Sequence, residues 1–224
     1  MEPVRALYFG DVLCVWAYVS QLRVEQLRSE LGAEVEVETR FCSVFGDVPG
    51  KLSRGWAERG GVKGYAEHVR RVLAPHPQVR LDPATWGEVA PNSSTPAHLA
   101  LCAVRLLERG GQLEPQAFHR ACCATREAFF ARAMDIGNRA VLSDLLASLD
   151  LPVTAIDELI GSGLAFAELA ADAELARTFE VKLSPTILLN EGRQRLNGNV
   201  GYRVIEANVR ELLHKPEATE ASWC

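Results

Sequence analysis

The chain has 224 residues, 48% hydrophobic and 24% charged, with a formal net charge of −5. This is an ordinary globular composition, long enough for one large domain or two small ones. It excludes disorder, collagen and coiled coil as whole-chain descriptions. No apolar run approaches the ~18 residues of a membrane span, and the negative balance gives nucleic acid no electrostatic footprint. Met1 to Phe9 carries one arginine and lacks the basic head and long apolar stretch of a secretory signal. A cytoplasmic chain is therefore expected, in which six cysteines are reduced and one that matters is reactive rather than structural.

Val4 to Phe9 reads as a mostly buried strand closed by Gly10-Asp11. Trp16 to Leu31 is an amphipathic helix on Val19, Leu22, Leu27 and Leu31, with Gly32 as a C-terminal cap. Val35, Val37, Thr39 and Phe41 alternate with Glu34, Glu36, Glu38 and Arg40, which predicts a strand with one solvated face near a sheet edge. Strand, helix, strand makes a βαβ unit with parallel strands. Val48 to Pro96 is rich in glycine and proline, with one helical patch near Tyr65 to Leu73, and Gly60 to Gly64 is expected to be a loop over a cleft. Helical stripes follow from Ala97, from Phe118 to Phe129, from Val141 to Leu149 and around Ile156. Phe166 to Phe179 is a further helix; Thr186 to Leu189 and Arg193 to Asn197 form a hairpin around Asn190-Glu191-Gly192. A last helix turns Val204, Ile205, Val209, Leu212 and Leu213 inward, and a polar tail follows from Lys215. The expected fold class is therefore α/β: a four-stranded mixed sheet in two sequence pieces, residues 1–45 and 175–214, interrupted by an α-helical lid over 46–174.

Cys14 falls where the first strand gives way to the first helix. Unpaired N–H groups and the positive end of the helix dipole converge there, so a thiolate is expected to be stabilised and its pKa to lie below the free value of ~8.5. The surrounding Asp11-Val12-Leu13-Cys14-Val15-Trp16-Ala17-Tyr18 resembles the Asp-x-x-Cys-x-Trp-Cys-Tyr active-site segment of the DsbA-like thioredoxin family. That family includes FrnE-type proteins and is related to 2-hydroxychromene-2-carboxylate isomerase and kappa-class glutathione transferase. Similarity continues through Pro91-Asn92-Ser93-Ser94 to His98-Leu99-Ala100, Phe129 to Leu151, Leu175 to Leu189 with Pro185-Thr186, and Gly198-Asn199-Val200. The resemblance implies a thioredoxin fold and a cis proline at Pro185. It also implies a cleft with Cys14, Trp16 and Ala17 on one wall and Ser184, Pro185 and Thr186 on the other, where the backbone of Ser184 could pair with a substrate chain.

The departure from the family is Ala17, which stands where the second cysteine of the usual pair would be and cannot resolve a mixed disulfide. Three readings follow. In the first, Cys14 is a monothiol redox nucleophile acting on protein thiols and disulfides or on a small molecule, with glutathione as a co-substrate and no bound cofactor. In the second, the protein is a glutathione-dependent isomerase or transferase; in the third, a non-catalytic binding module. Cys42 follows the second strand, on the same sheet edge as Cys14, and reads either as a resolving thiol or as a small buried hydrophobe. Cys224, on the tail, reads as a distant resolver or a solvated end.

Other features are open or bland. Trp16 shields Cys14 or anchors its helix. Asp11 reads as a turn residue facing solvent. Asn92, Ser93 and Ser94 cap the lid helix or line the pocket, with Asn199 as a further substrate contact. His119, Cys122 and Cys123 lack a second ligand-bearing segment other than His98 and Cys102, so no metal is expected. Nothing fixes the assembly as monomer or homodimer.

Overall fold

A computed structural model describes residues 3–214; the tail and Cys224 lie outside the described residues. Strand β1 (Val4–Gly10) runs parallel to β2 (Val35–Phe41), in register from Val4 opposite Val35 to Gly10 opposite Phe41. Strand β3 (Thr186–Leu189) is antiparallel to β1, and β4 (Gln194–Asn197) is antiparallel to β3. The order is β2-β1-β3-β4. The expected α/β fold with a mixed four-stranded sheet is the one observed. As the alternation of β2 predicts, it is an edge strand with Val35, Val37, Thr39 and Phe41 buried.

Helix α1 (Val15–Leu31) joins β1 to β2. Between β2 and β3 come α2 (Val48–Gly55), α3 (Gly61–Leu73), α4 (Thr95–Arg109), α5 (Ala117–Arg132), α6 (Arg139–Ala147), α7 (Val153–Gly161) and α8 (Leu164–Thr178). Helix α9 (Tyr202–Leu213) follows the hairpin. One apolar core runs from the start of α1 (Val12, Leu13, Val15, Val19) into α3, α4 and α5 through Tyr65, Trp86, Leu101, Phe129 and Phe130. A second fills the other end of the sheet, from Ala6 and Tyr8 to Leu27, Ile187, Ile205 and Val209. The N-terminal end of α1 thus abuts the helical segment.

Several local expectations are corrected. Gly60–Gly64 is not a loop. Gly60 takes a left-handed φ of +88° that starts α3, and a Cβ on Gly64 would lie 1.7 Å from the Arg59 carbonyl oxygen, so this glycine lets α3 fold tightly onto the preceding turn. Helix α2 was hidden by its glycines and proline; Asp47 caps it by accepting from Gly50 N at 2.8 Å, and Pro49 sits in its first turn. Gly32 ends α1 with right-handed dihedrals (φ −57°) instead of a left-handed cap. Leu22 and Val204 face solvent, 38% and 50% exposed.

The helical segment is fastened to the β2 edge by charge. Asp172 on α8 is fully buried. Its Oδ1 accepts from Arg40 Nη1 at 3.0 Å; its Oδ2 accepts from Arg105 Nη2 and from Phe41 N, both at 2.9 Å. Glu168, one turn earlier, accepts from Arg105 Nε at 2.9 Å. The remaining Nη1 of Arg105 donates to the Thr39 carbonyl at 2.9 Å. These bonds join α4, α8 and β2.

Candidate active site

The turn Asp11–Leu13 carries the chain from β1 to α1, and Cys14 occupies the N-cap with extended backbone (φ −82°, ψ 118°). Its thiol donates to the Ser184 carbonyl oxygen at 3.2 Å. The Ser184–Pro185 peptide is cis. The backbone N–H groups of Trp16 and Ala17 and the Ser184 hydroxyl act on the sulfur in the sense that favours thiolate, without a cap hydrogen bond to it. These are the helix-start donors the sequence predicts. They do not win: Cys14 is 6% exposed, and burial raises its pKa above the ordinary thiol value, with the Asp11 charge adding to the rise. The expected depression is therefore overturned for this closed arrangement.

Asp11 is the larger correction. It is a fully buried hub and does not face solvent. Its Oδ1 accepts from Leu13 N at 2.9 Å, and its Oδ2 accepts from Val44 N (2.9 Å), Phe45 N (2.8 Å) and Ser94 Oγ (2.9 Å). Its own N–H donates to Ser184 Oγ at 2.9 Å. One residue therefore joins the turn before Cys14, the loop after β2, the start of α4 and the proline loop. His98, also buried, accepts from Val12 N at 3.3 Å through Nε2 and stacks on Phe41 with centroids 4.4 Å apart. Burial lowers its pKa, so the ring is neutral near pH 7. Tyr65 from α3 lies within electrostatic reach of both Cys14 and Asp11, and burial raises its hydroxyl well above the usual value.

Cys42 is buried, with its N–H donating to the Gly10 carbonyl at 3.2 Å. Burial, helped by Asp11 and Cys14, pushes its thiol up to about 12, against a hydrogen bond from Ser184. The Ser184 hydroxyl thus acts on both sulfurs. Ala17 and Thr186 are fully buried, and Thr186 Oγ1 donates to the Leu183 carbonyl at 2.8 Å. Trp16 is half-buried against the larger core.

The other proposed contacts separate. Ser93 Oγ accepts from Thr95 N at 3.0 Å, whereas Ser94, at the N-cap position of α4, makes no side-chain cap bond and reaches Asp11. Asn92 is exposed, and its carbonyl accepts from Val48 N. Asn199 is exposed and accepts from Arg23, nine residues or about 13 Å of helix beyond Cys14; it is not brought to the sulfur. Among the described residues, cavities of about 580, 420 and 260 Å³ are present, and none of these is lined by Cys14; the 420 Å³ one is an apolar slot between α4, α6 and α7 that Ser93 touches. Asp11, His98, Tyr65 and the role of Ser94 were missed from sequence. A signal existed in the Asp-x-x-Cys spacing and in His98 on an otherwise apolar helix face.

With that geometry established, comparison with solved structures is informative. DsbM, a cytosolic disulfide reductase of Pseudomonas aeruginosa, superposes with a TM-score of 0.68 at 18% identity, covering 92% of this chain and 98% of that one. A Streptomyces coelicolor protein described as a probable DsbA oxidoreductase gives 0.73 at 15% identity, covering 97% and 93%. The chain has the DsbA-like thioredoxin fold. A 2-hydroxychromene-2-carboxylate isomerase structure shares it more distantly, with a TM-score of 0.59 at 13% identity and coverage of 93% and 96%. No protein-family model matches the sequence, and no curated protein sequence matches it. Among the described residues, no helix is long and apolar enough to cross a membrane.

Proposed function

We propose that the protein is a thiol–disulfide oxidoreductase in which Cys14 is the single nucleophile of the first step. The observation that carries this is the Cys14 thiol at the N-cap of α1, bonded to the Ser184 carbonyl at 3.2 Å beside the proline loop. Similarity of fold to DsbM and the DsbA-type structure supports the same reading. The Cys14 thiolate attacks one sulfur of a substrate disulfide. A Cys14–substrate disulfide forms, and the other substrate sulfur leaves as thiolate. Ala17 cannot complete the exchange, so an outside thiol, with glutathione as the proposed co-substrate, attacks the Cys14 sulfur and releases the second substrate sulfur as thiolate; a second outside thiol then attacks that adduct, frees Cys14 and leaves as the disulfide of the two outside thiols. The outside thiols supply the electrons. Because the sulfur is buried and its pKa raised, attack requires local opening that hydrates it.

A second route for resolution rests on Cys42. The Ser184 hydroxyl acts on both its thiol and that of Cys14. Opening that loop would let Cys42 attack the mixed disulfide and close a Cys14–Cys42 bridge.

Intact-mass analysis after incubation with oxidised glutathione tests the proposal. The expected result is one glutathione per chain on Cys14, removed by reduced glutathione and absent in C14S. A mass showing a Cys14–Cys42 bridge, converted to a stable adduct by C42S, selects the internal resolver. Non-covalent glutathione binding without adduct replaces the proposal with glutathione-dependent isomerase or transferase chemistry. Neither outcome leaves a binding module.

A further inference from the structure

On the opposite stretch of α1, about 16 Å of helix beyond Cys14, a second cluster forms that the chemistry above does not use. We propose that Glu25, His119 and Cys123 form a site for a zinc-type divalent cation. His119 and Cys123 are four residues apart on α5, so one helix face presents both. Glu25 on α1 closes the third corner. Cys123 Sγ lies 3.4 Å from Glu25 Oε1 and 3.7 Å from His119 Nε2, and all three donor atoms lie within 4.8 Å of one another. Around a tetrahedral zinc with bonds of about 2.0–2.3 Å, neighbouring ligand atoms stand roughly 3.3–3.6 Å apart. The cluster needs little adjustment to accept one.

All three residues are partly exposed, so an ion has a route in and solvent can supply a fourth ligand. Three protein ligands with an open position is the pattern of reactive rather than purely structural zinc. A thiolate, an imidazole and a carboxylate select zinc or cobalt over magnesium or calcium. Sequence alone offered only His98 and Cys102 as partners for the α5 residues. His98 is committed to Val12 and Cys102 to Arg105; the second segment is α1 instead. Cys122 next door lies in the core.

Charge around the cluster is positive: Arg28 on α1 and Arg120 and Arg126 on α5 act on its members. The three arginines oppose a cation. Binding displaces the Cys123 proton. The ion with one thiolate and one carboxylate is then neutral overall, which limits the repulsion from those arginines.

Cobalt titration of the metal-free chain under a non-coordinating reductant tests the site. One ion per chain is expected, with a thiolate-to-cobalt charge-transfer band that zinc abolishes. C123S should lose the band, and E25Q and H119Q should weaken binding roughly tenfold or more, with unchanged circular dichroism. C14S and C42S should retain both band and stoichiometry. No band in the parent chain, a band surviving in C123S, or one lost in C14S or C42S would overturn the proposal. Should C123S not fold, E25Q and H119Q decide, since unaltered affinity in both has the same consequence. The glutathione adduct on Cys14 is read separately, so the two proposals fail independently.

Discussion

Asp11 and Asp172 are both fully buried carboxylates that fasten the helical segment to the sheet, and they do so by different means. Asp172 faces two guanidinium groups and one backbone N–H. Asp11 accepts from neutral donors, three backbone N–H groups and the Ser94 hydroxyl, and the His98 ring lies 3.8 Å from its Oδ1. Around Asp172 the charge is balanced locally, so the cluster serves as an anchor. Around Asp11 the negative charge is solvated by dipoles but not cancelled, and it acts on the neighbouring Cys14. The first carboxylate secures the structure. The second also sets how readily a sulfur ionises.

The contrast can be broken by substitution. D172A leaves Arg40 and Arg105 without their shared partner and should cost about 3–5 kcal/mol in urea unfolding. The alkylation rate of Cys14 in the remaining folded protein should not change; a large change there would mean the anchor also governs the sulfur. D11N should cost about 2–3 kcal/mol, because an amide nitrogen faces donors. It should also speed alkylation of Cys14 at pH 7 several-fold, since the charge that opposes the thiolate is gone. Slower alkylation would show that the lost hydrogen bonds outweigh the lost charge.

The smallest effect sharpens the same picture through His98, which lies beside the Asp11 hub. Its pKa is lowered in the folded protein, first by burial, with Arg126 adding and Asp11 opposing. Below about pH 6.5 the unfolded histidine takes up a proton that the folded one refuses. Stability should therefore fall as pH drops through that value and level off once the folded value is passed. H98Q should flatten this part of the urea-midpoint profile, and an unflattened profile would assign the pH dependence to other groups.

Apolar periodicity made the sheet and most helices legible, because packing imposes it directly on the sequence. Helix α2 was not legible, since Pro49, Gly50 and Gly55 carry the composition of a loop. For the site, the junction of strand and helix pointed to Cys14, and the resemblance to the DsbA-like family pointed to Ala17 and Pro185. Buried polar residues gave no such signal. Asp11, Ser94 and Asp172 look like surface residues until the chain brings their donors from Val44, Phe45, Phe41 and Arg105, up to 131 residues away for Phe41 and Asp172. Glu25 likewise gains meaning only when α1 packs beside α5. The predicted thiol acidity failed for a related reason: the helix-start donors are a local feature, whereas burial is a tertiary one.

With 6% of its surface exposed, Cys14 meets a reagent only as often as the surrounding segments part. Small alkylating agents and bulky disulfides should then report different opening amplitudes, and their rate ratio measures how far the entrance must widen. Substrate choice would begin at that threshold, ahead of any bond exchanged at the sulfur.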